Sequence, residues 1–340
     1  MKRRLGTLAC SLACVLSLAV VSACGKRKAK DTALSPEVSG LAAVPATAQV
    51  VIGADVHKLS DSPIIARAVE RLLLSEPKLA ESWSHVQESC KIDPVRQLRH
   101  VMLAIGPAPG AAGTGPVLMV ATGQLSEPDL ASCIRTMVGK GGGALTAKSV
   151  VGRSIYQVVD GKRTMYFAFS RPDTVVLGTS EAWVTEALGT GLKATSNPDL
   201  QAWLKLIDQR RPVWAVGRID PRVGQGLVTA TAGKLAKQPE AFVATLDPTA
   251  GAKLELGVVM ADPEMAKTLE SWAKNELAVV GMAAQLKSLG SIVSKVTVIA
   301  EDSVVRFRAA LTLDEVNQLL SVLDEKPAPE QGSPPPEGPK

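Results

Sequence analysis

Residues 117–138 read VLMVATGQLSEPDLASCIRTMV, and this stretch decides the fold class. Val117 to Ala121 is a short apolar run that opens with a β-branched residue, which suits a strand. Gly123 ends it. Ser126 then stands at a helix N-cap position, Pro128 suits the first turn, and Asp129 completes the spacing of a capping box. Leu130, Cys133, Ile134, Met137 and Val138 follow at helical spacing. The unit is therefore a strand that feeds a capped helix.

The same grammar recurs three times. Thr174 to Thr179 reads as a strand, Ser180 caps, Trp183, Val184 and Leu188 face inward, and Gly189 stops the helix. Leu254 to Met260 alternates in part, and Asp262-Pro263-Glu264 opens a helix striped by Met265, Leu269, Trp272 and Val280. Val304 to Leu311 alternates, Thr312 and Glu315 form a capping box, and Leu313, Val316, Leu319, Leu320 and Leu323 form the last stripe. Hairpin partners precede these strands: 101–105 before 117, 155–159 joined through Asp160-Gly161 to 164–169, 242–246 before 254, and 296–300 before 304.

The order of elements predicts an α+β fold in two similar halves, each with antiparallel hairpins followed by capped helices packed on the sheet. Val50-Val51-Ile52-Gly53 leads to Asp55 and a helix near 62–74. Val213-Trp214-Ala215-Val216-Gly217 leads to Asp220 and a helix near 222–237. The expected boundaries are a first half at 47–191, a linker helix within 192–211 that Asn197 caps, and a second half at 212–325. Residues 326–340, KPAPEQGSPPPEGPK, are too rich in Pro, Gly and charge to build a core and read as a disordered tail.

The net charge of +5 looks basic, but its distribution says otherwise. Three of the 38 basic residues lie in 1–23 and four in 24–30, and no acidic residue precedes Asp31, so 31 remain against 33 acidic residues. A nucleic-acid binder needs a concentrated basic surface, and none is predicted. Aromatic residues are only 3% of the chain, which disfavours stacking platforms for bases or sugars.

Motifs that carry chemistry are missing. His57, His85 and His100 form neither HxH nor HExxH, so no metal centre and no cofactor is expected. Gly139-Lys140-Gly141-Gly142-Gly143 closes a helix instead of opening one, unlike a phosphate loop. Ser75-Glu76-Pro77-Lys78 matches SxxK by its letters, without companion motifs. Asp55 beside His57 is the only suggestive catalytic neighbourhood, and Asp55 and Asp220 read more simply as caps or turn residues. Leu277 to Ala284 has no polar side chain and reads as a buried helix, with an apolar groove as the other reading.

The N-terminus carries an address. Lys2, Arg3 and Arg4 precede the uncharged run 5–20, which is followed by Val21-Ser22-Ala23-Cys24. The arrangement resembles the signal peptide and lipobox of bacterial lipoproteins. That resemblance implies cleavage between Ala23 and Cys24, acylation of Cys24, and a chain held to the cell envelope by lipid, with Gly25 favouring an outer membrane. Residues 24–46 then form a tether, in which Lys26, Arg27, Lys28 and Lys30 would be drawn to anionic headgroups by about 1 kcal/mol each. Two cysteines remain in an oxidising compartment. Cys90 and Cys133 either pair with each other or remain as thiols, Cys133 lying on an apolar helix face. The body also loosely resembles uncharacterised two-repeat secreted bacterial proteins, which implies no activity. The functional expectation is a non-catalytic, lipid-anchored envelope protein that binds a protein or an apolar ligand; the other expectation is an enzyme with a site near Asp55 and His57.

Overall fold

The computed structural model describes residues 40–90, 92–110, 115–150, 152–161, 163–189, 191–285 and 289–324. The expected signal peptide, Cys24, the basic residues 26–30 and the tail lie outside the described residues.

Among the described residues, twelve strands form one antiparallel sheet in the order β11-β12-β10-β9-β8-β1-β2-β3-β7-β6-β5-β4. They are β1 (Val50–Asp55), β2 (Leu98–Ile105), β3 (Val117–Gly123), β4 (Ala144–Val150), β5 (Arg153–Asp160), β6 (Arg163–Arg171), β7 (Thr174–Gly178), β8 (Val213–Arg218), β9 (Ala241–Asp247), β10 (Ala252–Val259), β11 (Thr297–Glu301) and β12 (Val304–Leu311). The seam is the β1–β8 pair, where Val50 faces Gly217 and Gly53 faces Trp214. Gly53 is required there: a Cβ on it would lie 2.3 Å from the Trp214 ring. The class is α+β, as the strand–helix grammar predicts.

Helices cover both faces. They are α1 (Val56–Ser60), α2 (Pro63–Ser75), α3 (Pro77–Cys90), α4 (Pro94–Gln97), α5 (Glu127–Lys140), α6 (Glu181–Leu188), α7 (Pro198–Leu204), α8 (Pro221–Ala230), α9 (Pro263–Gln285), α10 (Gly290–Val293) and α11 (Leu313–Asp324). The row Met102–Val120–Val176–Ala168–Ile155 crosses the first arm on one face. It belongs to the main core, which Trp183 and Val184 of α6 and Leu200, Trp203 and Leu204 of α7 complete. The alternate row carries Ala121, Val175 and Phe169 to the other face, where Ala131 of α5 packs on them. On that same face of the second arm, Met265, Ala266, Leu269 and Ala273 of α9 cover Val298 and Val305.

Several expectations are corrected. The packed body begins by Gly40, not at 47: Leu41, Val44 and Ala48 are core residues, at 3%, 0% and 4% exposure. The backbone of 44–46 is tied to 192–194, so the end of the expected tether and the start of the linker brace each other. Helix α8 stops at Ala230, short of 237, because Ala232 and Gly233 take left-handed backbone and turn Leu235 into the core. Ser126 occupies the N-cap of α5, but its side chain makes no cap bond. Ser180, Asn197, Asp262 and the Thr312/Glu315 pair do cap, accepting from Trp183, Leu200, Met265 and each other. Residues 277–284 are not a buried helix. They form the last turns of α9, where Val279, Val280 and Met282 are 58%, 50% and 64% exposed.

Candidate functional site

The region around Asp55 was the sequence's one catalytic lead. Asp55 ends β1 and works locally: it accepts from the Lys58 amide at 3.1 Å, capping α1, and pairs with Lys58 Nζ at 3.1 Å. Lys58 also donates to the Arg210 carbonyl at 2.9 Å. His57 lies exposed on α1, away from the cavities described below. The register brings a different histidine to Asp55, namely His100 on β2. Burial holds His100 below its ordinary pKa of 6.5, Asp55 pulls it back up, and Lys58 and Arg99 push it down. Asp220 likewise caps its helix, accepting from the Arg222 amide at 2.8 Å, and the Arg222 guanidinium holds its carboxyl low. The two aspartates thus start helices, and neither lines the two hollows described below. Among the described residues no group of three or more His, Cys, Asp or Glu is placed to hold a metal.

Two hollows were not foreseen. One, of about 420 Å³, lies where α3 meets α5 and is lined by Gln97, Gln124, Ser126, Asp129, Ser132 and Thr136 beside Cys90 and Cys133. Those cysteines form a disulfide with Cα atoms 5.1 Å apart. Among the described residues the lining offers hydroxyls, amides and the one carboxylate of Asp129.

The other hollow, of about 340 Å³, lies on the second arm and is lined by Arg211, Thr245, Lys253, Glu255, Lys295 and Arg308. Its floor is an ion network. Arg306 reaches Glu255 at 2.5 Å and Glu301 at 2.8 Å, while Arg308 reaches Glu301 at 2.8 Å and Glu255 at 3.4 Å. The Arg308 hydrogen bond holds the Glu301 carboxyl below its usual range. Arg211 pairs with Asp247 and Lys295 with Glu315. Mutual pairing consumes most of this charge, which leaves a structural brace more than a reactive centre.

One surface of the central strands is apolar. The central strands bury one face completely: Val51, Ala104, Leu118 and Val216 are all at 0% exposure. The other face of the same strands carries Val50 and Ile52, Leu103 and Ile105, Val117 and Met119, Val213 and Ala215, and Phe242 and Ala244. Every one of these is only partly buried. Helices α5 and α9 cover the outer strands of that face, and the middle is left partly exposed. Apolar side chains elsewhere add to this surface character: Leu72 and Leu74 of α2 are 50% and 76% exposed. Polar contacts fasten α2 and the turn before it to the second arm, Ser62 Oγ donating to the Pro248 carbonyl and Arg71 to that of Leu320. Among the described residues no helix is long and apolar enough to cross a membrane. A strand with apolar residues on both faces was visible in the sequence; which face helices would leave open was not.

No family model matches the chain, and no curated protein matches it. Among solved structures, TP0453 in its crystal form I aligns over 83% of this chain and 95% of that chain, with 11% identity and a TM-score of 0.42.

Proposed function

We propose that the chain is a lipid-anchored protein of the bacterial cell envelope that binds an apolar ligand or an apolar protein segment and performs no catalysis. The anchor rests on Val21-Ser22-Ala23-Cys24, with Cys24 as the acylated residue and Lys26, Arg27, Lys28 and Lys30 beside the bilayer. The binding role rests on one observation: the middle strands bury Val51, Ala104, Leu118 and Val216 fully on one face and leave the apolar residues of the other face partly exposed. Soluble domains rarely leave a contiguous apolar patch of this kind without a use for it. The Asp55 and His57 neighbourhood gains no support as a catalytic site, since Asp55 is engaged in capping and His57 faces solvent.

The test combines two measurements on the full chain. Palmitate labelling should be lost in Cys24→Ala, and equal labelling of both forms overturns the anchor. Uptake of an environment-sensitive apolar dye should fall severalfold in Leu103→Glu, which sets a charge in the open face. Unchanged uptake in a folded variant overturns the binding role. We also propose that the two arms descend from one unit. Superposing 47–191 on 212–325 should then lay α5 on α9 and α6 on α11, and unrelated placement of these helices overturns the idea.

A further inference from the structure

An open sheet has two edges, and in this molecule they differ. The β11 edge is short, only Thr297–Glu301, and Glu301 is tied to Arg306 and Arg308. Short length and fixed charge are the usual ways of discouraging strand addition. The β4 edge is longer and carries one charge. Its seven residues, ALTAKSV, pair with β5 in unbroken register from Ala144–Val159 to Val150–Arg153. It contains no proline, and Thr146 to Ser149 are exposed. Its single charge, Lys148, is neutralised within the chain by Glu181 of α6.

Among the described residues, no strand pairs with the outer side of β4. Val150 and Arg153 flank a two-residue connection, so they form a hydrogen-bonded closing pair. Alternation from that pair turns the N–H and C=O groups of Leu145, Ala147 and Ser149 outward. These positions are symmetric about Ala147. Laid antiparallel on itself, the strand sets Ala147 against Ala147 of a second copy, Leu145 against Ser149, Thr146 against Lys148, and Ala144 against Val150. Each pair lies on a common face, and the two Lys148 side chains meet threonine instead of each other.

We propose that β4 is a self-association edge at which two copies of this chain pair antiparallel about Ala147, joining their sheets across a two-fold axis. The contact involves one short strand from each copy, so the dimer is weak and forms at high concentration.

Sedimentation of the full chain over a range of concentrations tests this. The wild type should pass from monomer to dimer. Ala147→Pro removes an outward N–H at an edge position where proline is tolerated. Ala147→Lys sets two ammonium groups opposite each other. Each should weaken the dimer by about tenfold or more, with circular dichroism unchanged. Ile299→Lys on the opposite edge should leave it as strong as in the wild type. A wild type that stays monomeric at its highest soluble concentration overturns the proposal. So does a dimer that survives Ala147→Lys with its affinity unchanged, or one that is lost in Ile299→Lys alone.

Discussion

The two arms of the sheet hold themselves together by different means. Counted outward from the seam, the first arm runs β1-β2-β3-β7-β6-β5-β4 and the second runs β8-β9-β10-β12-β11. The first arm carries the β4–β5 hairpin at its rim. It is braced by apolar contact and one covalent bond: Phe167 is fully buried, Tyr156 stacks on it at 4.6 Å, and the disulfide joins α3 to α5. The second arm adds charge to its apolar core under α9, through Arg306, Arg308, Glu255 and Glu301. Among the described residues, the carboxyls held below their usual range are Asp208, Asp220, Asp247, Glu301 and Glu315, and none lies in the first arm. One sheet therefore contains two stability regimes, one sensitive to reductant and the other to acid and salt.

Breaking the first regime should have the largest effect. The disulfide closes a loop with a sequence separation of 43 residues. Loop-closure entropy assigns such a cross-link up to about 4 kcal/mol. Changing both Cys90 and Cys133 to serine should lower the thermal midpoint, and added reductant should lower that of the wild type but not of the variant. A variant as stable as wild type would remove the covalent half of the contrast.

The second regime yields a smaller effect. Arg306 is 12% exposed and holds both Glu255 and Glu301. Arg306→Met leaves those carboxylates to Arg308 alone and should cost about 2 kcal/mol. Because charge is the cause, urea unfolding in high salt should narrow the gap between variant and wild type. A gap that ignores salt would point to packing instead.

Two helix starts sharpen the comparison further. Asp262 accepts from the Met265 amide at 2.9 Å, so Asp262→Ala should cost about 1 kcal/mol in chemical denaturation. Ser126 holds the matching position before α5 without a side-chain bond, so Ser126→Ala should change almost nothing. Equal losses in the two variants would mean that Ser126 caps after all.

The smallest effect is a pH dependence that divides along the same line. His100 is held below 6.5 in the fold, so the unfolded chain takes up its proton first. Its contribution is complete above 6.5 and fades as pH falls through that value and then through the lowered one. His100→Gln should flatten the stability profile just below 6.5. The lowered carboxyls of the second arm, Asp247 and Glu301 among them, act further down, where stability is lost as pH falls below the ordinary carboxyl range of 3.8 to 4.5. A His100→Gln profile that runs parallel to wild type above pH 5 would remove histidine from the account.

What the sequence revealed follows the physics of each element. Hairpins with Asp160-Gly161 or Glu301-Asp302 at the turn were legible because turn chemistry is local: Gly161 and Asp302 both adopt positive φ, at 57° and 50°. Helices opened by Asp262-Pro263 or Thr312 were legible because caps are local too. Strand β4 was missed because an exposed edge needs no apolar alternation, and ALTAKSV shows little. The exposure of Val280 was missed because periodicity names a stripe without saying how far its support extends along a 23-residue helix. His100 escaped attention because its neighbour Asp55 is distant in sequence and is brought near only by strand register.

The seam has a consequence for how the chain is made. Strand β1 ends at Asp55, while its partner β8 begins only at Val213. At a synthesis speed of about 5–20 residues per second, the second edge of β1 waits on the order of ten seconds for its neighbour. Until β8 is present, Val50-Val51-Ile52 is paired on its β2 side alone and keeps one apolar edge open, the kind of segment that seeds aggregation. The centre of the sheet is therefore closed only by a strand from the far half of the chain, so the first arm cannot complete its own inner strand.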